Sequence, residues 1–180
     1  MQNDRAQRIR ISLKGQTMTI IRELQKQDDL HDLIVLSKEF FEEYVALHGE
    51  IFQVDDLRDS DIVEFFSRPI ESEDSATFVA VVEDRMIGYI TVSVHSQAGF
   101  YRVKRIGAVS GLMVQKNYRR RGIAGQLFDR AVAFFAEQGV KYYTLYTATT
   151  NQGAIRFYEQ RGMTPLQTVM QGKIARNENN

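Results

Sequence analysis

Cysteine is absent from the 180 residues. That absence excludes disulfide frameworks, thiolate zinc sites and cysteine nucleophiles together, and it suits a reducing, cytoplasmic setting. Proline is scarce, with two in the chain. Neither a repeat nor a low-complexity stretch breaks the sequence, so a linker-divided chain is not expected. No run of about 18 apolar residues occurs, which removes a transmembrane helix. Residues 1–16 carry Arg5, Arg8, Arg10 and Lys14 but no apolar core of a signal peptide. An excess of one charge is missing as well: Lys+Arg and Asp+Glu number 23 each. A general nucleic-acid or membrane-surface binder usually shows a basic surplus, so neither partner is expected. The three histidines, His31, His48 and His95, are scattered and do not suggest a metal site.

What remains is an ordinary soluble composition, 43% apolar and 26% charged, long enough for one domain with a sizeable core. The elements alternate. Thr17–Ile21 is short and β-branched and reads as a strand. Leu30, Leu33, Ile34, Ser37, Phe41, Tyr44, Val45 and His48 recur at helical spacing, with Gly49 as the stop. A second helix covers Ile62 to Phe66, with Asp61 and Glu64 spaced as a capping box and Pro69 as its end. Ala76–Glu83 and Met86–His95 flank a turn at Asp84-Arg85. Ala108–Val114 is a further strand. A long helix runs from Gly122 to about Gln138, then a strand at Tyr142–Thr147, a helix at Asn151–Arg161 and a last strand at Thr164–Met170. The order β-α-α-β-β-β-α-β-α-β predicts an α/β fold with a mixed, mostly antiparallel sheet flanked by helices. The domain is expected over 17–172. Residues 1–16 read as a tail or an extra edge strand, and 173–180 as a second tail.

Chemistry concentrates in residues 111–125, Gly-Leu-Met-Val-Gln-Lys-Asn-Tyr-Arg-Arg-Arg-Gly-Ile-Ala-Gly. A strand ends at Val114, a polar turn follows, and a helix opens at Gly122. A helix start offers unpaired N–H groups and a positive dipole end, which bind phosphate oxygens. Gly122 and Ala124 are small enough for close backbone approach. Arg119, Arg120 and Arg121 add charge. The segment fits neither Gly-x-x-x-x-Gly-Lys-Ser/Thr nor Gly-x-Gly-x-x-Gly. A phosphate-bearing ligand is one reading; a solvated basic turn before a buried helix is the other.

Arg119-x-x-Gly122-x-Ala124, five residues after a strand ending Leu-Met-Val, resembles the acetyl-CoA signature of the GNAT superfamily of N-acetyltransferases. Asn151-x-x-Ala154-x-x-Phe157-Tyr158-x-x-x-Gly162-Met163 resembles that family's second motif, at the expected distance. The resemblance implies acetyl transfer from acetyl-CoA to a primary amine by direct attack. It implies that the backbone of Leu112, Met113 and Val114 pairs with the pantetheine arm and supplies an oxyanion donor. It implies a pyrophosphate loop made by Arg119, Arg120, Arg121, Gly122, Ile123, Ala124 and Gly125. Asn151 is implied as a contact near the pantetheine, and the same residue can simply cap its helix. Tyr158 matches the general acid, a phenol near pKa 10 facing a thiolate near 8.5. Its bland alternative is a packed aromatic.

The base is where the pattern departs. Ser110 stands where many relatives have Glu, so the candidates are His95, on the polar face of its strand and otherwise a strand-end histidine exposed to water, a water chain, or an acceptor that arrives partly neutral. From Glu39 to Glu64 lie nine acidic residues, opposed within that span by Arg58 alone. They read either as a solvated helix face or as a rim attracting a cationic small molecule or peptide. A non-catalytic acyl-CoA sensor is the competing function. A homodimer is left open by the sequence.

Overall fold

The computed structural model describes residues 9–11, 18–48 and 50–174. Gly49, the expected stop of the first helix, lies outside the described residues. The chain divides into two compact units, Met1–Tyr146 and Thr147–Asn180.

The first unit is a six-stranded sheet in sequential order. Its strands are β1 (Ile9–Ile11), β2 (Thr19–Glu23), β3 (Ser75–Val82), β4 (Arg85–Ser96), β5 (Arg105–Val114) and β6 (Tyr143–Leu145). Every pairing is antiparallel except β5 with β6, so the mixed, mostly antiparallel expectation holds. Part of the expected N-terminal tail is an edge strand, since Ile9–Ile11 pairs with Thr19–Ile21. Helices α1 (His31–His48) and α2 (Asp59–Ile70) cover one face, and α3 (Ile123–Glu137) covers the other.

Strand alternation sets which side chains meet which layer. Tyr89 joins Leu33, Leu36, Phe66, Val79 and Met113 in the core under α1 and α2. Phe78, one residue from Val79, meets Phe134 of α3 with ring centroids 6.0 Å apart. Twelve of the largest side chains are almost fully shielded, Phe66, Phe78, Phe128 and Phe135 among them. Burial of that kind is worth about 1.5–3 kcal/mol per large apolar side chain.

Three expected boundaries shift. The β3–β4 turn is Glu83-Asp84 rather than Asp84-Arg85, and both residues have positive φ, 48° and 60°. That is the backbone a tight two-residue hairpin demands. The capping carboxylate of α2 acts one turn earlier than expected: Asp61 accepts from the Arg58 N–H at 3.3 Å and from its guanidinium at 2.8 Å. Pro69 sits inside the last turn, and the helix ends at Ile70.

The second unit contains α4 (Gln152–Glu159), capped by Asn151, whose Oδ1 accepts the Ala154 N–H at 3.0 Å. Gly162 follows it with φ of 78°. The expected strand Thr164–Met170 is not formed; those residues have no regular secondary structure. The reason lies in the pattern: Leu166, Val169 and Met170 break the period of two, and all three are more than 70% exposed, so no burial rewards pairing.

Candidate active site

β4 and β5 pair with a slip. Thr91 stands opposite Gly111 and Val92 opposite Val109, so Ser110 is the extra residue of a β-bulge. The bulge bends β5 at that point. β6 follows β5 only across Gly107–Val109. From Ser110 to Val114 the second edge of β5 therefore has no strand beside it among the described residues.

The ladder fixes which groups face that open edge. Gln115 donates its N–H to Ile87 O at 2.9 Å. Main-chain direction alternates along an antiparallel pair, so Gln115, Met113 and Gly111 bond toward β4. Leu112 and Val114 turn their N–H and C=O groups to the open side. Side chains alternate likewise: Met113 is buried, Leu112 half-buried.

Beyond Val114 a 3-10 turn, Lys116–Tyr118, leads to Arg119. The chain then takes positive φ at Arg120 (63°) and Gly122 (79°) before α3 begins. Alternating backbone of this kind can turn successive N–H groups toward one anion. The first helical bond is Gln126 N–H to Gly122 O, 3.1 Å, which leaves the N–H groups of Ile123, Ala124 and Gly125 without an acceptor inside the helix. Ile123 and Gly125 are buried, Ala124 is half-buried, and Arg120, Arg121 and Gly122 are exposed. A Cβ placed on Gly122 would meet no protein atom within 4 Å, so the space in front of it is open to a ligand. A free strand edge with outward main-chain groups, running into an open helix start, fits an elongated amide chain ending in phosphates.

Arg119 departs from the expected picture. Its side chain turns back from the loop: Nε donates to Val114 O at 2.8 Å, and Nη2 reaches the Glu43 carboxylate of α1 at 2.9 Å and the Met113 sulfur at 3.5 Å. These bonds draw its guanidinium toward α1 and the end of β5. No sequence signal pointed to Glu43 as its partner, because 76 residues separate the two. Arg121 lies over the Tyr118 ring at 5.2 Å.

His95 is held elsewhere. It stands opposite Ile106, while Ile90 stands opposite Leu112. Five residues of strand put His95 roughly 17 Å along β4 from that point. It is exposed, and its Nε2 pairs with Ser93 Oγ at 2.9 Å. The structure does not bring it to the open edge.

In the second unit, Asn151 uses its carbonyl oxygen as the helix cap, which leaves its amide N–H groups to other partners. Tyr158 is half-buried, and burial pushes its phenol up to about 12. It holds its proton throughout the neutral range, but it is a weaker acid than an ordinary tyrosine.

The acidic span is more neutralised than its sequence suggested. Glu43 pairs with Arg119 and Lys116, Asp59 with Lys38, Asp61 with Arg58 and Glu64 with Arg68. Four of these five cations lie outside residues 39–64. Glu39 shields one carboxylate oxygen from solvent. Glu42, Asp55 and Asp56 are exposed. Near them in sequence is a ring cluster: Tyr44 stacks on His48 with centroids 3.8 Å apart, and Phe52 meets both edge-on. A cavity of about 230 Å³ beside the C-terminal end of α2, lined by Asp28, Leu30 and Ile70 among others, contains none of the candidate residues.

This strand-edge and helix-start arrangement is that of a coenzyme-binding acyltransferase. The chain belongs to the acetyltransferase (GNAT) family, whose model matches residues 36–163. It is similar to an uncharacterized N-acetyltransferase of Archaeoglobus fulgidus, 25% identical over 137 residues, covering 76% of this chain and 88% of the relative. A shorter match, 32% identical over 85 residues, joins it to the N-alpha-acetyltransferase MAK3 of Arabidopsis thaliana, covering 47% and 43% of the two chains. Among solved structures, the BH1408 protein of Bacillus halodurans superposes with a TM-score of 0.74 at 24% identity, over 86% of this chain and 99% of that one. The aminoglycoside acetyltransferase AAC(6')-Iy, solved with a CoA-linked bisubstrate analog, gives 0.68 at 18% identity, over 87% and 98%. No helix among the described residues is long and apolar enough to cross a membrane.

Proposed function

We propose that the protein transfers an acetyl group from acetyl-CoA to a primary amine by direct attack. The observation that carries this reading is the open edge of β5 at Leu112 and Val114, running into the uncapped N-terminus of α3. The Leu112 main chain and the Val114 N–H would hold the pantetheine amides by strand-like pairing, while the Val114 carbonyl accepts from Arg119. The N–H groups from Arg120 to Gly125 would hold the pyrophosphate. Bound there, acetyl-CoA supplies an acyl thioester.

The chain's own groups do the rest. An outward N–H of β5, on Leu112 or Val114, polarises the acyl oxygen and stabilises negative charge on it as the amine, its reacting nitrogen neutral, attacks and then gives up a proton to water. Tyr158 holds a proton at neutral pH and delivers it to the leaving sulfur. Asn151 orients the pantetheine with the amide hydrogens that its capping bond leaves over. The chain has no cysteine, and the one Ser–His contact among the described residues, Ser93 with His95, lies away from the open edge of β5, which favours direct attack.

The acceptor is a cationic amine. Glu42, Asp55 and Asp56 make no ion pair among the described residues, and the exposed ring of Phe52 can attract a cation. The aminoglycoside acetyltransferase of similar fold acts on such an amine. Calorimetry with acetyl-CoA, followed by thiol release across polyamines, aminoglycosides, amino acids and peptide N-termini, tests both halves. Cationic amines should react, and their KM should rise with salt. Reaction with neutral or anionic amines only would discard the acceptor class. Coenzyme binding without turnover on any amine would favour an acyl-CoA sensor, the function that Ser110 in place of Glu at the bulge suggests.

A further inference from the structure

The two halves of α1 are anchored differently. Leu33, Leu36 and Ser37, in its first turns, are its only buried residues. From Lys38 to His48 no side chain is fully buried, although Phe40 still packs on the core. A half-helix with so little buried surface is held weakly. Besides Phe40, its ties to the sheet are polar. Glu43 accepts from Arg119 at 2.9 Å and lies 3.7 Å from Lys116. Arg119 in turn grips Val114 O at 2.8 Å. At the other end, Asp32 accepts from Arg85 and from the Met86 N–H at 2.9 Å. The helix thus crosses from the start of β4 toward the open edge of β5. Its last turns, with the Tyr44–His48 stack, project beyond the Arg119 contact.

We propose that Arg119 is a positioning residue that couples the coenzyme loop to the acceptor side of the protein. Its main chain belongs to the loop, while its side chain fixes both the end of β5 and the C-terminal half of α1. Ordering the loop around a coenzyme therefore orders residues 38–48, on the proposed acceptor side, through Glu43. The energy of the pair suits this role. Both side chains are more than a third exposed, 37% and 38%, so solvent screens them and they add little to global stability. A contact too weak to hold the fold can still decide the position of a loosely anchored half-helix. This coupling rests on the acetyl-CoA reading above.

Hydrogen exchange of the full chain, with and without CoA, provides the test. In the wild type, saturating CoA should slow exchange over residues 38–48 by about fivefold or more, the lower range of ordinary coupling between sites. Glu43→Ala should keep its melting temperature within a few degrees and bind CoA within about threefold of wild type, yet lose that protection. Glu43→Gln, which retains a carbonyl for the guanidinium, should recover part of it. CoA binding that leaves 38–48 unchanged in the wild type would overturn the coupling and spare the acetyl-CoA reading. So would protection that survives in Glu43→Ala. A tenfold loss of CoA affinity in Glu43→Ala would also overturn it, by making Glu43 part of the coenzyme site. Failure of the wild type to bind CoA at all would overturn both.

Discussion

The hydroxyls of Tyr89 on β4 and Ser37 on α1 form a hydrogen bond inside the core, each residue only 3% exposed. Burial pushes the Tyr89 phenol up to about 12, against the opposing effect of the Ser37 bond. The raised value means that the folded protein keeps this proton where the unfolded chain releases it, near pH 10. The stabilisation is complete below pH 10 and is lost as pH rises toward 12. It amounts to about 3 kcal/mol if only this group is counted. Urea unfolding at pH 8 and pH 11 should show the decline. Tyr89→Phe should cost about 1–2 kcal/mol at pH 8, because Ser37 is left without its partner, and should flatten the alkaline loss. An unchanged alkaline slope in the variant would remove Tyr89 as its source.

Gly88 faces Val114 across the ladder. A Cβ there would lie 2.8 Å from Met113 O and 3.2 Å from a Val114 methyl. Backbone cannot yield as a flexible side chain does, so Gly88→Ala should displace the end of β5. The expected cost is about 1–3 kcal/mol of stability, with a parallel loss of acetyl-CoA affinity. Gly99→Ala, where a Cβ meets nothing within 4 Å, should do neither. Thermal melts and calorimetry on the two variants settle the comparison.

Gly122 has φ of 79°, a conformation that a β-branched residue strongly resists. Gly122→Val should strain the start of α3 and fill the open space before it. Acetyl-CoA affinity should fall at least tenfold, about 1.4 kcal/mol, in a protein that still folds. Equal affinity in the two proteins would contradict the loop assignment.

Tyr158→Phe keeps the ring and removes the proton. Turnover should fall by about 10²–10⁴, in kcat and kcat/KM together, with little change in acetyl-CoA affinity. The alternative role of a packed aromatic predicts the reverse, a stability loss of about 1 kcal/mol with kcat preserved. Melting temperature and kcat from one preparation separate the outcomes.

The elements of this protein, and the segment where its chemistry gathers, were legible in the sequence because they follow from local rules. Apolar period marked α1 and α3, small residues marked the helix start at Gly122, and Asn151 marked the cap of α4. Local rules failed where a feature had no local cause. The Thr164–Met170 strand was expected from its β-branched residues, but pairing needs a surface to bury against. The bulge at Ser110 exists only relative to β4, since a slip in register is a property of two strands. The acidic span looked unopposed because four of its five cations stand outside it in sequence. Arg119 shows the division most plainly. Its place in the motif is written in the chain, and the resemblance built on it led to the right family. The direction of its side chain was decided by tertiary structure, because the carboxylate that draws it lies on a helix 76 residues away.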